Sequence, residues 1–211
     1  MRRRRVLVPT PPTRAYALSV QGGRYAFVVP ISPPRRPPTV ELVELPADAI
    51  HALAAGDLAA TNSHSPITLT PYFVGPDWAG VWAMRSAQVR AEPASAGWIT
   101  RVVVDSETGL AVGRAGFHGP PDENGMVEVG YAVDPAYRRR GYARAALVAL
   151  LDRAAREPAV SIVRATITPD NAASRGLVAQ YGFVEVGEQW DDEDGLETIF
   201  EVPAGRTASD R

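Results

Sequence analysis

From Met126 to Arg156 the chain passes through a strand, a tight turn and a long amphipathic helix with no linker between them, and few architectures accommodate that succession. Val127-Glu128-Val129-Gly130-Tyr131-Ala132-Val133-Asp134-Pro135 is β-prone and stops at a proline, and Arg138-Arg139-Arg140-Gly141-Tyr142-Ala143 follows directly. Beyond it Ala143, Ala146, Leu147, Leu150, Leu151 and Ala154 recur at the i, i+3, i+4 spacing of one buried helix face, which predicts a helix over about 140–156. The first N–H groups of such a helix lack intrahelical partners and carry the positive end of its dipole, so the turn can cradle a pyrophosphate. Arg138, Arg139 and Arg140 add charge-assisted contacts, Gly141 lets a phosphate approach the backbone, and the small Ala143 leaves the next position open. The turn has neither the G-x-x-x-x-G-K-[ST] of a P-loop nor the three glycines of the dinucleotide fingerprint.

Around this unit the pattern alternates. Val40, Leu42 and Leu45 predict a first strand, Pro46-Ala47-Asp48 opens a helix ending near Gly56, and residues 57 to 76 carry turn residues without a sustained period. A helix is expected from Asp77, as N-cap, to about Arg90. Trp98–Val104 and Leu110–Phe117 flank a turn signal and read as a hairpin, and Met126–Val133 is a third strand. After the long helix come a strand Val160–Ile167, a helix Asn171 to about Tyr181, and strands Phe183–Gly187 and Glu197–Val202. This order implies an α/β fold, a mixed sheet with helices set on its faces. We place an Arg- and Pro-rich extension at residues 1–38, with a short hairpin around Gly22-Gly23, the domain at 39–203 and a polar tail at 204–211.

Composition excludes several classes. A formal net charge of -2 leaves no basic footprint for a nucleic acid. With no cysteine there is no disulfide framework, no thiolate zinc site and no Cys-acyl intermediate, and with no lysine there is no Schiff base. His51, His64 and His118 are scattered, so no metal site is expected. Prolines and Arg14 interrupt the start before any apolar segment of signal-peptide length, and no apolar run is long enough for a membrane span, so a cytoplasmic location without membrane or nucleic-acid partners is expected.

At Arg138, Gly141 and Ala143 the chain resembles the GNAT superfamily of N-acetyltransferases, whose coenzyme motif is [Q/R]-x-x-G-x-[G/A]. The likeness extends to Asn171, Ser174 and the Gly182-Phe183 pair, covers roughly residues 97 to 202, and is greatest to the RimJ/RimL-like subfamily. It implies a mostly antiparallel sheet with a V-shaped splay between its central strands. Acetyl-CoA would be the cosubstrate and no metal would be needed, with pyrophosphate at Arg138 to Ala143, including Tyr142, pantetheine along Ala132 and Val133, and Asn171 on the pantetheine arm. An amine acceptor, a protein N-terminus or a small molecule, would take the acetyl group directly. Dimers are frequent in such families, so a homodimer is compatible with the resemblance.

Glu128 stands where several relatives place a carboxylate that receives the amine proton, against the plainer reading of a solvated strand residue. Relatives often carry a tyrosine four residues before the Gly-Phe pair as general acid; here that position is Val178, and Tyr181 is the substitute, with water as its competitor. That departure keeps open a non-catalytic acyl-CoA-binding module. A further alternative makes residues 1–38 a docking arm. The acidic run Asp191-Asp192-Glu193-Asp194 reads first as a solvated loop and second as an attractor for a cationic amine.

Overall fold

The β-branched runs of this chain assemble into one seven-stranded sheet, seen here in a computed structural model that describes residues 36–192 and 195–205. The strands are β1 Val40–Val43, β2 Arg101–Asp105, β3 Ala111–Phe117, β4 Met126–Val133, β5 Ile162–Ile167, β6 Val184–Asp191 and β7 Gly195–Pro203, in the order β1-β2-β3-β4-β5-β7-β6. All neighbours are antiparallel except β4 and β5. The hairpin proposed around Gly22-Gly23 lies outside the described residues.

The helices are α1 Ala47–Ala54, α2 Leu58–His64, α3 Ala79–Ala91, α4 Tyr142–Arg156 and α5 Ala172–Ala179. Ala146, Leu147, Leu150, Leu151 and Ala154 of α4 are buried on one face of the sheet against Val112, Ala115, Phe117 and Val129, joined by Val178 of α5. Ala49, Ile50 and Leu53 of α1 and Trp82 and Val89 of α3 fill a second core with Val102, Val104 and Ala111 on the other face. Helices on both faces and a mixed sheet are as the residue pattern implied.

Two expectations in the N-terminal half are corrected. The stretch 57 to 76 is not all turn: Asp57 caps α2 by accepting from Ala60 N at 2.9 Å, and two 3-10 turns, Pro71–Val74 and Pro76–Trp78, follow. Seven residues with a single fully buried side chain, Thr61, are too few for a period to emerge. Asp77 is not the cap of α3 either. Pro76 fixes the first position of a 3-10 turn, so the helix begins two residues later with Trp78 as its unassisted N-cap. Trp82 shows what α3 packs against: its indole is buried in the second core and Nε1 donates to Phe73 O at 2.7 Å.

The pairing of β4 positions the site. On one edge it pairs with β3 from Val129 to Val133, whereas β5 meets it only at Met126, Val127 and Glu128. The two strands then part. Because Leu147 of α4 is fully buried beneath this division, Leu147→Ala should lower unfolding stability by about 2–5 kcal/mol in chemical denaturation.

Candidate active site

In an antiparallel ladder successive residues direct their N–H and C=O groups to opposite edges. His118 N donates to Glu128 O and Asp134 N to Val112 O, so Glu128, Gly130 and Ala132 belong to the set that bonds β3. Val129, Tyr131 and Val133 face the opening beyond β5. Of the two residues expected along a pantetheine arm, Val133 therefore turns its amide toward the gap and Ala132 supports it from the ladder.

At the end of β4, Asp134 closes a short 3-10 turn, Pro135–Tyr137, by accepting from Ala136 N at 2.9 Å. Arg138 Nε donates to Val133 O at 3.1 Å, which binds the arginine stem to the strand end. Arg139 has φ 61° and Gly141 φ 94°, two left-handed residues that reverse the chain into α4. Gly141 is required twice over, since a Cβ there would also stand 3.0 Å from Pro38 Cδ. The first helical bond is Ala145 N to Gly141 O, so the amides of Tyr142, Ala143 and Arg144 open the helix without intrahelical acceptors. Tyr142 Oη donates to Asp105 Oδ2 at 2.6 Å, pinning the helix start to the β2–β3 turn. Burial and this bond push the Tyr142 phenol up to about 12, and the same bond, first among its causes, holds Asp105 low.

Beside the split lies a cleft of about 1010 Å³. Glu128 is on its floor with 18% of its side chain exposed, accepting from Thr166 Oγ1 at 2.5 Å and lying 3.5 Å from His118 Nδ1. Arg85 of α3, buried, donates to Thr100 Oγ1, Gln88 Oε1 and His118 O and feels the charge of Glu128. Arg114 of β3 stacks on Trp78 at 4.1 Å, and burial pushes it down to about 10. Desolvation in the cleft lowers His118 below 6.5; Glu128 opposes this, while Arg85 and Arg114 add to it. Half of the His118 side chain is open, and the residue lines the cleft.

Asn171 caps α5 by accepting from Ser174 N at 3.1 Å, and both residues line the cleft. Tyr131 joins them. Burial raises its phenol, the Ser174 side chain offsets part of that, and no group meets the Tyr131 hydroxyl with hydrogen-bond geometry. Tyr181 is placed differently: it follows α5, packs on the α4-side core and is not among the residues lining the cleft. Of the acidic run, Asp191 lines the cleft at the end of β6, and residues 193 and 194 lie outside the described residues.

Arg85, Arg114 and Tyr131 carry no motif, yet two of them left a trace in the sequence. Arg85 stands three residues after Trp82 on the buried side of α3, and Arg114 is a lone charge within the small, apolar run Ala111-Val112-Gly113-Arg114-Ala115-Gly116-Phe117. Among the described residues no cluster of three or more His, Cys, Asp or Glu is placed to hold a metal, and no helix is long and apolar enough to cross a membrane.

A central pair of parallel strands that part above a glycine-led helix start is the frame of a coenzyme A-dependent acetyltransferase fold. The chain belongs to the GNAT acetyltransferases: the Acetyltransferase (GNAT) domain family matches residues 44–184. An uncharacterized N-acetyltransferase, YjdG, of Bacillus subtilis (strain 168) is 35% identical over 88 residues, 42% of this chain and 52% of that protein. The L-2,4-diaminobutyric acid acetyltransferase of Streptomyces coelicolor is 37% identical over 83 residues, 39% of this chain and 49% of that protein. The chain thus spans about half the length of these curated relatives. In fold it is similar to Mycobacterium smegmatis RimJ in complex with CoA-disulfide, with a TM-score of 0.52 at 23% identity over 80% of this chain and 88% of that one. The family and fold expected from Arg138, Gly141 and Ala143 are borne out.

His118 provides a check on the cleft's electrostatics. Its folded pKa lies below the unfolded value, so the folded state binds fewer protons and stability is lost as pH falls through about 6.5. Replacing His118 by Gln should flatten the decline in melting temperature between about pH 7 and 5, and an NMR titration of the wild type should place the imidazole midpoint below 6.5.

Proposed function

We propose that the protein transfers the acetyl group of acetyl-CoA to a primary amine by direct attack, with no covalent enzyme intermediate. The observation that carries this reading is the placement of Glu128: a carboxylate on the cleft floor at the point where β4 and β5 part, on the strand that leads into the open amides of α4.

In this reading the pyrophosphate lies on the amides of Tyr142 and Ala143 with Arg138, Arg139 and Arg140 around it, and Gly141 permits the approach. The pantetheine arm follows the unpaired edge of β4 at Val133, beside Ala132, and meets Asn171. An amine arriving as an ammonium must lose a proton before its nitrogen can attack the thioester carbon. Glu128 takes that proton, directly or through water. Thr166, which donates to Glu128, holds the carboxylate in place. The nitrogen–carbon bond forms, the carbon–sulfur bond breaks, and the thiolate leaves with the electron pair and requires a proton. Tyr131 supplies it in our reading: its raised pKa keeps the phenol protonated, it lines the cleft, and its hydroxyl has no acceptor of its own. Tyr181, on the core side of α5, is displaced from that role.

Calorimetric titration of acetyl-CoA should show binding that Gly141→Asp weakens by about tenfold or more, since the substitution adds both strain at φ 94° and a negative charge at the helix start. No binding to the wild type would end the proposal. Glu128→Gln should keep coenzyme affinity and lower kcat on an accepted amine by about 100-fold or more, with the acid limb of the pH–rate profile lost. Coenzyme binding without turnover on any amine would instead identify a binding module.

A further inference from the structure

Resting on the reading of this cleft as the acceptor site of an acetyltransferase, we infer that the acceptor is a small amino acid whose carboxylate is held by Arg114 while its amine reaches Glu128. Four other arginines of the described chain form ion pairs with carboxylates: Arg101 with Glu44, Arg153 with Glu157, Arg164 with Glu201 and Arg175 with Glu185. Arg114 has none, although it lines the cleft and its Nε is buried without a hydrogen-bond partner. One face of its guanidinium rests on the Trp78 indole, which fixes its plane without neutralising its charge.

Among the described residues no carboxylate forms an ion pair with it. The Tyr72 phenol interacts with Arg114 but is pushed up by burial, so it stays protonated. Glu128 receives the Thr166 hydroxyl and faces His118, and the arginine that feels its charge is Arg85. Arg85 itself adds repulsion to Arg114. A buried cation without a paired carboxylate carries a desolvation penalty, and a ligand carboxylate in bidentate contact would offset it. On the sheet, Arg114 pairs with Ala132 and His118 N bonds Glu128 O, so Arg114 and Glu128 share one face of adjacent strands, four residues apart along β4. Gly116 and Gly130 pair between them, where the backbone of Ile99 and Thr100 packs close on the first and the His118 ring lies over the second. Their backbones are about 13 Å apart along the strand, and both side chains line the same cleft, where a short carbon chain would bridge them.

The test compares amino acids with the amines that remain when the carboxylate is removed: lysine with cadaverine, ornithine with putrescine, and 4-aminobutyrate with propylamine. Binding to the coenzyme A-saturated protein is read by calorimetry and turnover by thiol release. At least one amino acid should bind about tenfold or more tightly than its carboxylate-free partner, the difference should vanish in Arg114→Met and partly return in Arg114→Lys, and acetyl-CoA affinity should stay within about twofold. Equal binding within every pair, no binding by any amino acid, or an equal loss for both members in Arg114→Met overturns the inference. Thiol release without preference for the carboxylate would leave the transferase reading standing and remove this one. Arg114-dependent binding of an amino acid with no thiol release would do the reverse.

Discussion

The rest of the site depends on the early parting of β4 from β5. Parallel pairing stops after Glu128, so from Gly130 onward β4 is held by strand pairing on one edge alone, and the backbone of its other edge lies beside a cleft. Such groups require partners, and a sheet that withholds them creates a position for an extended ligand without devoting a side chain to it. The same division sets the ends of α4 and α5 on either side of the opening. Asp134, Arg138 and the left-handed pair Arg139 and Gly141 then steer the chain within a few residues from strand edge to open helix start.

That helix start is held from below. The bond from Tyr142 to Asp105 joins the first residue of α4 to a turn that Asp105 also organises, accepting from the amides of Glu107 and Thr108 and from the Thr108 hydroxyl. The apolar face of α4 beneath it, from Ala146 to Ala154, is buried in the core. Fixed amides lose little freedom when they meet an anion, and this preorganisation is what a helix N-terminus contributes to phosphate binding.

The two arginines of the cleft wall differ in how they are satisfied. Arg85 is fully enclosed and satisfied by neutral oxygens, while Arg114 keeps a buried Nε without a partner. Burial first, and then Arg85 and Arg114, lower the His118 pKa against the pull of Glu128, which faces that imidazole and accepts from the Thr166 hydroxyl.

The sequence by itself determined the elements with a long period and the chemistry of the turn. The run Met126–Val133 is observed with those bounds, α4 begins within two residues of its expected start, and the glycine that must adopt a positive φ could be named because only one stands in the motif. Short helices without a buried stripe, such as α2, and the 3-10 entry to α3 were hidden, since neither changes the hydrophobic period. Glu128 and Asn171, singled out from the sequence, do line the cleft, whereas Arg85, Arg114 and Tyr131 line it without a motif to announce them, and Tyr181 packs against the core outside that lining. Only the tertiary structure could bring those residues to one wall. A cleft is built from α3, β3, β4, β5, α5, β6 and β7 together, and residues as distant in sequence as Arg85 and Glu197 share its wall through strand register and helix packing, which no local pattern encodes.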